Sequence, residues 1–127
     1  MAKVMVVDDA AFMRMLLKEM LEAGGHEVVC TAVDGQDAID KYQTWRPDIV
    51  TMDITMPVME GVEAVERIMG KYPDATIIMC SAVGHKMQIL DAIRAGAKDF
   101  IVKPLQPARV LEAVSKALKT SRPVRVI

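Results

Sequence analysis

Four strand-like stretches of this sequence each run into a residue with chemistry to offer. Lys3 to Val7 meets Asp8-Asp9, Ile49 to Met52 meets Asp53, Ala75 to Cys80 meets Ser81, and Lys98 to Val102 meets Lys103-Pro104. Gathered in one cleft, Asp8, Asp9 and Asp53 would repel one another. Carboxylates about 5 Å apart at an effective dielectric near 20 cost about 3 kcal/mol per pair, enough to demand a compensating cation. Oxygen ligands without His or Cys specify a hard ion, and two carboxylates plus a carbonyl, with waters completing an octahedron, favour Mg²⁺ over the fuller ligand set of Ca²⁺. Lys103 adds a second positive charge and Ser81 a hydroxyl donor. A carboxylate nucleophile in such company is equipped to accept a phosphoryl group, because that transfer rests on positioning and charge neutralisation more than on acid–base chemistry. Singly, each residue has a plainer role: Asp8 or Asp9 caps the first helix, Asp53 caps the turn after it, Ser81 caps the fourth helix, and Lys103 is a solvated loop charge. Four strand ends coinciding favour the site.

The elements that must carry these residues follow from periodicity. After the first strand, Phe12, Leu16 and Met20 recur every four residues as the inner face of a helix that Gly24-Gly25 stop. Glu27 to Val33 is a second strand, and Asp34-Gly35 turns the chain into a helix carrying Ala38, Ile39 and Tyr42, closed by Pro47. Beyond Asp53, Pro57 and Gly61 forbid immediate continuation, so the carboxylate faces a loop. Val62, Val65 and Ile68 or Met69 mark a third helix, closed by Gly70 and Pro73; His85 to Ala95 is a fourth, stopped by Gly96. Pro107 suits the first turn of a last helix with Val110, Val114 and Ala117 or Leu118 inward.

Strands alternating with helices, with links long enough for right-handed crossovers, predict a parallel five-stranded sheet covered on both faces, a doubly wound α/β fold. All strand carboxyl ends then lie along one edge, where such folds bind ligands. If the spatial order is 2-1-3-4-5, as in flavodoxin-like folds, the four chemically useful strands are contiguous. Strands lie about 4.8 Å apart, so Asp and Ser from adjacent strands need only short side chains, whereas Lys103, about 10 Å away, needs its four-carbon stem.

Composition narrows the class. With 127 residues, 52% hydrophobic and 26% charged, the chain makes one domain, 1–120, followed by a short tail, 121–127. A net charge of -1 with scattered Lys and Arg offers neither a nucleic-acid patch nor a polybasic anchor, and no apolar run approaches a bilayer span. A cytoplasmic location is expected. Cys30 and Cys80 read as reduced core residues, and the eleven methionines as adaptable core filler.

Val6-Val7-Asp8-Asp9, the run from Met52 to Gly61, Ile78-Met79-Cys80-Ser81-Ala82 and the run from Gly96 to Pro104 together resemble the receiver domain of two-component response regulators. The resemblance covers residues 3 to about 119. Asp9-Ala10-Ala11-Phe12-Met13-Arg14 and Thr51 to Pro57 are most similar to single-domain chemotaxis receivers of the CheY type, in their Gram-positive and thermophile form. It implies that Asp53 accepts phosphate from a histidine kinase, of the CheA kind in chemotaxis. It also implies Mg²⁺ on Asp9, Asp53 and the Thr55 carbonyl, with Asp8 acting through water. Lys103 would pair with the phosphoryl group, Ser81 would hydrogen-bond it, Phe100 would be the aromatic switch, and Lys103-Pro104 would be cis. The implied partners are that kinase, a flagellar motor switch protein and a phosphatase of the phosphorylated form, met by a monomer that binds no nucleic acid and enters no membrane. No turnover of an external substrate is expected.

A phosphorelay intermediate, or the receiver of a larger, for example transcriptional, regulator, is the alternative role. An aspartyl phosphatase would need Asp-x-Asp, but Thr55 stands at that offset, and Asp8-Asp9 would repel the phosphate of a flavin nucleotide. On the fourth helix Met87, Ile89, Leu90 and Ile93 span roughly 160° of the wheel, wider than a core stripe of about 100°. That surplus is either buried more deeply or exposed as a partner surface beside Phe100.

Overall fold

The computed structural model describes residues 1–121. Its elements are β1 (Lys3–Val7), α1 (Ala11–Ala23), β2 (Glu27–Ala32), α2 (Gly35–Trp45), β3 (Ile49–Asp53), α3 (Gly61–Lys71), β4 (Ile77–Ser81), α4 (Lys86–Ala95), β5 (Asp99–Val102) and α5 (Pro107–Ser121). All pairings are parallel, in the order β2-β1-β3-β4-β5. The expected doubly wound sheet is therefore present, with β1, β3, β4 and β5 contiguous. Of the expected tail, Ser121 ends α5 and residues 122–127 lie outside the described residues.

Because successive strand residues face opposite sides, each buried strand feeds two cores. Val4, Val6, Ile49, Ile78 and Ile101 pack with Leu17 and Leu21 of α1 and Val110 and Val114 of α5. Met5, Val7, Val50, Met52 and Met79 pack beneath α2, α3 and α4 with Tyr42, Val65, Ile68 and Ala92. Both cysteines are free thiols, and burial pushes that of Cys80 up to about 12, so it stays protonated beside Asp53, its register partner on β3.

Expectations change at α1 and α3. The buried residues of α1 are Leu17 and Leu21, with Met13 and Met20 half-buried against the same core, while Phe12 is 64% exposed. Positions 12, 16, 20 and 13, 17, 21 are interleaved sets one residue, or about 100°, apart. The set carrying Leu17 and Leu21 turns inward, and Arg14 Nη1 donates to the carbonyl of Asp8 at 2.8 Å. Gly70 does not close α3, which continues to Lys71 and is capped by Tyr72.

Thr51 of β3 lies between Val6 and Ile78 in the α1/α5 core, and its Oγ1 is buried without a hydrogen-bond partner. An unpaired buried hydroxyl costs about 1–3 kcal/mol. Thr51→Val, which keeps the shape, is expected to stabilise the protein by about 1 kcal/mol, read as a higher urea midpoint at unchanged slope.

Candidate functional site

The carboxyl edge of the sheet brings the singled-out residues together. Asp8 follows β1, Asp53 ends β3, Ser81 ends β4 and Lys103 follows β5. Carboxylate oxygens of Asp8, Asp9 and Asp53 lie within 4.8 Å of one another, with Asp8 and Asp53 buried and Asp9 exposed. Lys103 crosses from two strands away, and its Nζ stands 3.2 Å from Asp8 Oδ2 and 3.5 Å from Asp53 Oδ1. The plainer helix-capping roles of Asp8, Asp9 and Ser81 are not taken up. The α1 N-cap is Ala10 and the α4 N-cap is His85, neither with a side-chain cap bond. Asp8 Oδ1 instead accepts from the Ala10 N–H, which turns its other oxygen toward Lys103.

Burial raises the pKa of Asp53, and the charge of Asp8 adds to the rise; Lys103 and the Ile54 N–H oppose it without reversing it. For Lys103, burial pulls downward, but Asp53 and Asp8 together outweigh it and lift the ammonium above its ordinary value. The cleft thus holds more negative charge than one lysine neutralises, and an exposed carboxylate, Asp9, faces the opening.

The loop after β3 is fixed from two sides. Gly61 donates to Ile54 O at 2.8 Å and Gly35 donates to Met59 O at 3.1 Å. A Cβ on Gly61 would overlap the carbonyl oxygen of Asp53, so only glycine lets α3 start this close to the site. Ile54 O is committed, whereas the carbonyl of exposed Thr55 accepts no backbone hydrogen bond among the described residues. The three carboxylates, without His or Cys among them, fit a hard divalent cation such as Mg²⁺.

Ser81 is fully buried, and its Oγ donates to Ala82 O at 2.9 Å and lies 3.1 Å from His85 Nδ1. Phe100 is 39% exposed and, with His85, Ile89, Leu90 and Val102, lines an apolar groove of about 340 Å³ between α4 and β5. The wide apolar stripe of α4 is therefore exposed rather than buried more deeply: Met87, Leu90 and Ile93 face outward and only Ala92 is fully buried. The Lys103–Pro104 peptide is cis. Sequence reasoning missed the Ser81–His85 contact and the Arg14 tether. A serine at a strand end with histidine four residues on, across Gly84, was the available signal for the first.

Residues 4–115 match the family described as the response regulator receiver domain. The chain is 55% identical over 117 residues to the chemotaxis protein CheY of Thermotoga maritima, covering 92% of this chain and 98% of the relative. It is 54% identical over 116 residues to the chemotaxis protein CheY of Bacillus subtilis, covering 91% and 97%. A crystal structure of the CheX-CheY-BeF3-Mg complex from Borrelia burgdorferi superposes with a TM-score of 0.86 at 40% identity, covering 90% of this chain and 87% of that one.

Proposed function

The chain belongs to the response regulator receiver family, closely related to CheY chemotaxis proteins, and from that premise we propose that it is a phosphoryl-accepting signalling switch. The observation that carries this reading is the meeting of three carboxylates within 4.8 Å, two of them bridged by one ammonium group. Asp53 Oδ1 is held by the Ile54 N–H and Lys103, which leaves Oδ2 as the attacking oxygen. It forms the new P–O bond as the P–N bond of a phosphohistidine breaks, and the bonding pair returns to the imidazole nitrogen. Lys103 balances the added negative charge, and Ser81, one strand from Asp53, supplies a hydroxyl donor to a phosphoryl oxygen. Asp9, Asp53 and the Thr55 carbonyl would hold Mg²⁺, with Asp8 acting through water; the bound ion neutralises charge on the transferring group.

The donor in this reading is a CheA-like histidine kinase, the target a flagellar motor switch protein, and a phosphatase of the phosphorylated form resets the switch. No external substrate is turned over. The setting is the cytoplasm; no helix among the described residues is long and apolar enough to cross a membrane. The exposed apolar face of α4, beside Phe100 and β5, supports partner binding, as does the complex its Borrelia relative forms with CheX.

Incubation with a small phosphodonor, read by intact mass with and without Mg²⁺, is expected to give a single Mg²⁺-dependent phosphoryl adduct located at Asp53. Asp9→Ala should weaken Mg²⁺ binding more than Asp8→Ala, and Lys103→Ala should leave it largely intact. An adduct formed equally well without the metal, or metal affinity lost most in the Lys103 variant, would contradict this division of labour.

A further inference from the structure

The Ser81 hydroxyl has one proton to give, and it is already engaged. Its partners are Ala82 O at 2.9 Å and His85 Nδ1 at 3.1 Å, both in the link from β4 to α4 rather than at Asp53. To donate to a phosphoryl oxygen on Asp53, Ser81 must turn that proton away from Ala82 O. A swing of Oγ toward Asp53 also gives up the contact with His85 Nδ1, which meets the oxygen as an N–H donor while the proton lies on Ala82 O. The ring is placed for this by the turn before it, where Gly84 has φ +101°, and by its own station as the N-cap residue of α4, its carbonyl accepting from Ile89 N–H at 2.9 Å. His85 also lines the groove whose far wall is Phe100.

Building on the phosphoryl-acceptor reading, we propose that His85 is a positioning residue that latches the Ser81 hydroxyl in its resting orientation, so that the swing of Oγ toward a phosphoryl group on Asp53 costs the Ser81–His85 hydrogen bond. The latch sets the position of the switch equilibrium, and its release alters the wall of the Phe100 groove. A residue that favours only the resting state opposes phosphorylation by its own differential contribution and no more.

The test uses beryllofluoride with Mg²⁺ as the phosphoryl probe. His85→Phe, which keeps a ring and removes its nitrogens, is expected to bind the probe about 2- to 10-fold more tightly than the wild-type protein, the range of one net hydrogen bond. His85→Gln, whose amide can replace the contact, should return toward wild-type affinity. In a Ser81→Ala background the His85→Phe effect should vanish, because the two residues act through one bond. A nitrogen spectrum gives a readout free of metal and probe: the His85 Nδ1 resonance should move on Ser81→Ala in the metal-free protein, and in the same direction when the probe binds the wild type. With only two histidines in the chain, the signal is readily assigned. Normal wild-type binding with unchanged or weaker binding by His85→Phe overturns the latch alone, as does an unmoved Nδ1 resonance. No probe binding by the wild type overturns the phosphoryl-acceptor reading and the latch with it.

Discussion

Asp53→Asn is expected to abolish the phosphoryl adduct and, without Mg²⁺, to raise the melting temperature. The amide keeps the shape of the side chain and can still accept the Ile54 N–H, which meets Oδ1 at 2.9 Å in the parent. It is not a nucleophile toward phosphorus and carries no charge. The stability gain follows from the direction of the Asp53 shift, which burial and Asp8 raise above the ordinary aspartate value of 3.8. A carboxyl whose folded pKa is raised contributes stability fully below its unfolded value and loses it as pH rises through the folded value. The parent should therefore weaken relative to Asp53→Asn as pH climbs above 3.8 toward neutrality, and the advantage should disappear below it. Lys103 keeps a partner in the variant, since Asp8 Oδ2 remains 3.2 Å away. Melting curves across that pH range and intact mass after phosphodonor treatment check both halves. Labelling of the variant at the parent's rate would remove Asp53 from its role, and a lower melting temperature at neutral pH would contradict the crowded-carboxylate argument.

The strands were legible because a parallel strand buried on both faces reads as an unbroken apolar run. β1, β3 and β4 do so up to the residue where the chemistry begins. Their spatial order was not legible from periodicity; it required the resemblance, since hydrophobic runs do not state their neighbours. Helix rotation failed at α1, where two every-four sets of apolar residues compete and the one with Leu17 and Leu21 is buried. The reach of Lys103 was predictable from side-chain length, whereas the His85 contact depends on a left-handed turn at Gly84 that sequence spacing alone does not specify. Gly61 was read as a helix breaker, yet it is the first residue of α3, and its missing side chain is what lets Asp53 O come close.

That last difference carries the largest expected effect on stability. Gly61→Ala places a Cβ on top of the Asp53 carbonyl oxygen and 3.0 Å from Ile54 Cα, both backbone atoms that cannot swing aside as a flexible side chain would. Relief requires the loop 54–60 to move off α3, which breaks the 2.8 Å bond from Gly61 N–H to Ile54 O. The loop is also tied to α2 through Gly35 and Met59, so the displacement cannot stay local. A loss of about 3 kcal/mol or more is expected, in the range of severe overpacking. Asp53 moves with its carbonyl, so Mg²⁺ affinity should fall in whatever fraction remains folded. Gly70 is the internal control, because it lies in the same helix, is exposed, and a Cβ there meets nothing within 4 Å. Gly70→Ala should stabilise the protein slightly, by at most the roughly 0.5–1 kcal/mol that alanine gains in a helix interior, since Gly70 is the penultimate residue of α3. Urea unfolding of both variants makes the comparison, and equal effects of the two substitutions would show that helix propensity, not the close approach to Asp53, governs Gly61.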